Sequence, residues 1–246
     1  MNEDLSNLQY FPIFDYNYSE WFEEVRFEGR MLSDKERAGL VSAIDEDLDY
    51  YTAGLPLFFD LIESRKGYND AFFELDRTVS SAIMFVLMTM IDSMVAVKFF
   101  ALADRDYERR FMRGKLFIIL NEGFKKLYGY EENTYKKSEW HRLSLQMQYF
   151  PDEIQQQFQK LTPLLETHSK SSSWWRDERN AETHLLIEQL YASRQKEIID
   201  GEVIVDSMKL YKTLRAVSLF LFNAHACVTN SLVSNYQNGR GEKNNF

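Results

Sequence analysis

Thr78 to Ile91 carry no charged side chain, and the stretch around them, from Asn69-Asp70 to about Ala103, is apolar nearly all round at helical spacing. Such a segment has to be covered on most of its circumference, either as the central helix of a bundle or as a membrane span. Asp92 and Lys98 interrupt it well short of the ~20 apolar residues that a span requires, so the central-helix reading is preferred. Ala216 to Gly239 is also uncharged, but it carries Asn223, His225, Thr229, Asn230 and Ser231. It too reads as a core helix, and no membrane partner is expected. With only 10 Gly and 4 Pro in 246 residues, a turn-rich all-β fold is disfavoured and long helices are favoured.

The remaining segments are expected to build an all-α, up-and-down helical bundle. Residues 1–32 form an aromatic-rich N-terminal extension (Tyr10-Phe11-Pro12-Ile13-Phe14, Tyr16, Tyr18, Trp21-Phe22), a composition that packs on the body of a domain or on a partner. Ser33 with Glu36 three residues later is a capping-box pattern for a first helix from about Asp34, with a break expected near Gly54-Leu55-Pro56. After the central helix, Asp104-Arg105-Asp106 interrupts the hydrophobicity, and a further helix runs to Gly129. Tyr130 to Lys137 reads as a polar connection. Pro151-Asp152-Glu153 opens a short helix ending near Thr167, followed by a serine-rich loop from His168 to Ser173. Gly201 marks a turn, a last helix covers roughly Val205 to Asn235, and Gln237 to Phe246 reads as a disordered tail. One α-helical domain, residues 33–236, is expected.

The formal net charge of −9 argues against a broad basic surface for nucleic acid, while leaving room for a local basic cleft. The single Cys227 excludes an internal disulfide and a thiolate zinc site. No secretory signal is visible at Met1-Asn2-Glu3-Asp4. A reducing, cytoplasmic setting is therefore expected. No Glu-x-x-His pair occurs, and phosphate-loop, dinucleotide and nucleophile-elbow motifs are absent, so neither a metal nor a cofactor is expected.

The chemistry-bearing stretch is Arg179-Asn180-Ala181-Glu182-Thr183-His184, at the start of a helical segment behind Trp174-Trp175. A helix turns 100° per residue, so Asn180, His184 and Glu188 share one face, together with Arg176 if the helix begins early enough. Thr183, Leu186, Ile187 and Leu190 form the opposite, core-facing stripe. Arginine supplies a permanent cation for phosphate, and histidine moves protons near neutral pH. Read structurally instead, His184 pairs with Glu188 and Arg179 with Glu182 on a solvated face.

Arg179-Asn180-x-x-x-His184 resembles the R-x4-6-H motif of the HEPN superfamily, including the polar residue directly after the arginine. About six residues carry the specific match. The resemblance implies a helical bundle, commonly a homodimer whose two motifs face one another across a cleft. It also implies a metal-independent endoribonuclease of toxin–antitoxin, phage-defence or RNA-processing type, or a member that has lost activity and binds nucleotide, RNA or protein. Under it, His184 assists proton transfer as a 2′-hydroxyl attacks the adjacent phosphate, Arg179 stabilises the growing charge, and Asn180 orients the imidazole or a phosphate oxygen. The partners implied are RNA or nucleotide, a second copy, and a cognate antitoxin or other protein. Residues 1–32 and the overall length exceed the family's minimal domain.

Supporting positions follow from the residues themselves. Trp174 and Trp175 are of the type that stacks on unpaired bases, or else they pack beneath the loop. Lys170 and Arg176 would contribute local positive charge, with Asp177, Glu178 and Glu182 among them to offset it. Asp92, inside the most apolar helix, reads as a buried carboxylate that must find a partner or a proton. The partner is either Arg179 or His184 at the site, or a structural hydroxyl. His225 reads as a satisfied core histidine. A third reading, a helical scaffold docking through its aromatic N-terminal segment, separates from the enzyme by whether Arg179 and His184 share a cleft.

Overall fold

The computed structural model describes residues 31–66, 71–172, 180 and 199–241, and among them the elements are all helical. Helix α1 spans Asp34–Ser64, α2 Ala71–Leu102, α3 Asp106–Leu127, α4 Glu132–Tyr135 and α5 Glu139–Ser144. A 3₁₀ turn at Met147–Tyr149 precedes α6, Asp152–Ser172, and the last helix, α7, runs Asp200–Gly241. The all-α bundle is the architecture expected.

The capping box at the head of α1 is formed. Ser33 Oγ accepts the Glu36 N–H at 3.4 Å, and the Glu36 carboxylate accepts the Ser33 N–H at 2.9 Å. The expected break at Gly54-Leu55-Pro56 does not occur: α1 continues through Pro56. Proline deprives the carbonyl four residues back of its helical donor, but Thr52 and Pro56 are both exposed, so that carbonyl faces solvent. Beyond the proline, Phe58 packs at ring-centroid distances of 5.7 Å from Phe222 and 5.6 Å from His225. This contact holds the last two turns in line.

Helix α2 is the central element. Asp76, Val79, Ile83, Val86 and Met90 are all fully buried along one helical stripe, and α1, α3 and α7 all pack against the helix. Two ion pairs show that α1 runs antiparallel to α2: Lys98 with Asp45 at one end, and Arg65 with Asp76 at the other. Helix α7 is antiparallel to α2, with His225 beside Asp76 and Ile204 to Met208 beside Ser93 to Val97. Residues 73–102 are long and apolar enough to cross a membrane by composition. About half of that stretch is buried, against three neighbouring helices.

Helix α3 folds back on α2 at close range. A Cβ on Gly123 would stand 2.5 Å from Thr89 Cγ2, so a side chain there would require Thr89 or the helix spacing to give way. The helix ends at Gly129, whose φ of 88° suits the left-handed residue that commonly closes helices. The connection from Tyr130 to Lys137, expected to be polar, contains the short helix α4, and α5 follows it and carries Trp140. This indole is fully buried, stacks on Phe158 at 4.5 Å, and donates its N–H to Thr162 Oγ1 at 3.0 Å.

Helix α6 also exceeds expectation, because His168 to Ser172, read as a loop, is helical. Two hydrogen bonds fix this extra turn, from Ser169 Oγ to Gly129 O and between Thr213 Oγ1 and His168 Nδ1. Gly201 lies inside the first turn of α7, not at a turn before it, and helix persists through 237–241, within the tail read as disordered. At Pro56 and at the end of α6, tertiary contacts outweigh the weak local preference for a stop.

Candidate functional site

Most of the motif-bearing stretch lies outside the described residues. Arg179, His184, Arg176, Glu188, Trp174 and Trp175 belong to that group, and so does the side chain of Lys170, whose backbone is in α6. Asn180 is described: it is helical and half-buried. The described flanks are firm. Helix α6 ends beside Gly129 and Thr213 through Ser169 and His168, and α7 begins with buried Val203, Ile204 and Val205.

Asp92 departs from expectation. It is exposed, and among the described residues it makes no hydrogen bond or ion pair. Apolar surroundings still push its carboxyl above the ordinary range by partial desolvation. The helical arithmetic explains its position: Asp92 stands two residues, or 200°, past the buried Met90, on the far side from the core stripe. Its neighbours Ser93, Met94 and Val97 line a small space of about 40 Å³ with Ile204, Ser207 and Met208. Asp92 is therefore level with the first turns of the helix into which the motif segment leads.

The densest described polar constellation was not anticipated. Asp76 is fully buried, forms an ion pair with Arg65, and has His225 Nε2 3.4 Å from Oδ1. Three elements converge there. Arg65 is the C-cap of α1, where a cation also favours the helix dipole. Asp76 lies in the second turn of α2, and His225 is past the middle of α7. Burial lowers the His225 pKa below its ordinary 6.5, and the Arg65 charge lowers it further. Burial likewise lowers that of Arg65. With the Asp76 charge already matched by Arg65, the imidazole is neutral at pH 7. His225, expected to be a satisfied core histidine, is half-buried with Asp76 and the edge of Phe58 against it, and its Nε2 and both Asp76 carboxylate oxygens are buried without a hydrogen bond among the described residues. A readable signal for Asp76 existed: it shares the 3.6-residue period of Val79 and Ile83.

No family model matches the chain, and neither a curated protein nor a solved structure matches it.

The Asp76 cluster can hold or release a proton, but a carboxylate with no exposed surface is closed to a substrate. Its geometry is that of a latch joining α1, α2 and α7. Among the described residues, no three His, Cys, Asp or Glu side chains gather in a way that could hold a metal ion.

A groove of about 540 Å³ lies at the opposite end of α1 and α2. Phe99, Leu102 and Ala103 of the α2 end line it together with Tyr107, Arg110 and Phe111 of α3. Phe99, Leu102, Tyr107 and Phe111 are each more than half exposed.

Proposed function

We propose that the chain is a HEPN-like, metal-independent endoribonuclease, with Arg179, Asn180 and His184 as its reacting set. One observation carries the reading: an arginine, an amide and an imidazole recur at the family's spacing in an all-α chain, between α6 and α7.

In the reaction, His184 takes the proton of a ribose 2′-hydroxyl while that oxygen attacks the adjacent phosphorus. The 5′-oxygen leaves with a proton from water, which later recovers the one held by His184, and a 2′,3′-cyclic phosphate remains. Arg179 offsets the charge that grows on the phosphoryl oxygens, and Asn180 orients the imidazole or one of those oxygens. A homodimer would set two such sites across one cleft, and a toxin or defence role with a cognate protein partner fits the same chemistry. The second reading is a non-catalytic module that binds nucleotide, RNA or protein. It is favoured by the net charge of −9, which opposes tight RNA binding outside a local basic patch.

The test is cleavage of total RNA in EDTA by the purified full chain, beside His184→Ala. Fragments ending in 2′,3′-cyclic phosphate, reduced at least ~100-fold in the variant as expected for a lost general base, support the enzyme. No cleavage by a folded protein over a broad RNA panel favours the binding module. Equal cleavage by both proteins removes His184 from the chemistry.

A further inference from the structure

We infer that the aromatic segment from Tyr10 to Phe22 folds back into the groove between the end of α2 and the start of α3 of its own chain. The inference is independent of the nuclease reading and begins from where the described chain enters the bundle. Arg37 donates from Nε to Leu32 O at 3.4 Å and from Nη1 to Ala101 O at 3.5 Å. One guanidinium therefore holds the residue that follows Met31 against the residue that precedes Leu102. Leu102 and Ala103 line the groove, so the chain arrives at its rim. Phe22 lies nine residues before Met31, a reach of roughly 30 Å when extended, and the rest of the segment follows directly.

The surfaces match in chemistry. The groove wall is made by Phe99, Leu102, Tyr107 and Phe111, each more than half exposed. Four large apolar side chains around one concavity form a patch of the kind that marks an interaction surface. Tyr10, Phe11, Phe14, Trp21 and Phe22 supply the complementary rings. Charge points the same way. Residues 1–30 hold seven Asp and Glu against two Arg, whereas residues 105–115 hold five Arg and Lys against two acids. Two of those cations lie over rings of the groove itself, Lys115 Nζ 5.1 Å from the Phe111 centroid and the Arg105 guanidinium 6.0 Å from that of Tyr107. An acidic, aromatic segment arriving at the rim satisfies the apolar wall and meets the two cations, Arg105 and Lys115, that lie over its rings, beside a lining that also holds Glu108 and Arg110.

The experiment uses the full chain with photoreactive benzoylphenylalanine in place of Tyr107, irradiated and mapped by mass spectrometry. The expected product has the mass of one chain and joins position 107 to a peptide within residues 10–22. A product of two-chain mass, a cross-link outside residues 1–30, or no cross-link overturns the inference. A second measurement follows chymotryptic cleavage within residues 10–22. Phe111→Glu is expected to speed that cleavage about tenfold, the factor for losing one ring contact of ~1.4 kcal/mol, and Leu57→Glu, on exposed α1 surface, is expected not to. Equal rates in wild type and Phe111→Glu would also overturn it.

Discussion

The two ends of the α1–α2 hairpin invert the usual distribution of polarity. At one end, Arg65, Asp76 and His225 place charge and imidazole inside the bundle. At the other, Phe99, Leu102, Tyr107 and Phe111 leave apolar surface outside it. Each end also carries an ion pair between the same two helices, so their environments can be compared directly. Arg65 and Asp76 side chains are 16% and 1% exposed, whereas those of Lys98 and Asp45 are 27% and 47% exposed. Coulomb attraction is strong where water is excluded, but so is the cost of an unmatched charge. The buried end is therefore where the molecule is fixed, and the open end is where it has surface left to use.

The largest effect should come from Asp76→Ala. It leaves the Arg65 guanidinium buried without a counter-charge, and such removals destabilise by ~3–5 kcal/mol. Urea denaturation at pH 7 should show a midpoint shift of that size. A loss under 1 kcal/mol would mean that Arg65 reaches solvent when its partner is removed, and the contrast between the two ends would collapse.

The next effect is a pH dependence. His225 has its folded pKa lowered by burial and by Arg65. Between that lowered value and 6.5, the unfolded chain binds a proton that the folded chain refuses. Stability is therefore full above about pH 6.5 and falls as the pH drops below it, by at most ~1.4 kcal/mol per pH unit. His225→Asn should flatten that limb relative to wild type in denaturation series from pH 7.5 to 5. An unchanged slope would show that the imidazole is not charged on unfolding alone.

These contrasts also show how far the sequence could be read. The capping box at Ser33, the central apolar helix and the glycine stop at Gly129 were legible because each is written in neighbouring residues. Pro56 and the serine-rich turn after His168 misled. Whether a helix survives a weak residue depends on what its next turn touches: Phe222 and His225 for Phe58, Gly129 and Thr213 for Ser169 and His168. Asp92 was misread, and Asp76 was not singled out, for a related reason. Mean apolarity around a carboxylate says little, whereas its phase on the helix decides burial. Asp76 is in phase with Val79 and Ile83, and Asp92 is out of phase with Met90. Of the proposed reacting set, Asn180 alone is described, so the nuclease rests on residue types and spacing.

The smallest effect should come from Asp45→Ala, at the open end. Its carboxylate is about half exposed and its partner Lys98 about a quarter. The attraction is screened by water and salt, and holding a lysine in place costs side-chain entropy, so exposed pairs contribute ~0–1 kcal/mol. Removing Asp45 frees the ammonium to reach solvent on its flexible stem. The expected urea midpoint shift is therefore a few-fold smaller than for Asp76→Ala and shrinks further at 1 M salt, where the Asp76 effect should persist because its pair is shielded from the ions. If Asp45→Ala proved as costly as Asp76→Ala at both salt concentrations, exposure would not be what separates the two ends. The packing around Lys98, beside the buried Val97, would have to carry the difference instead.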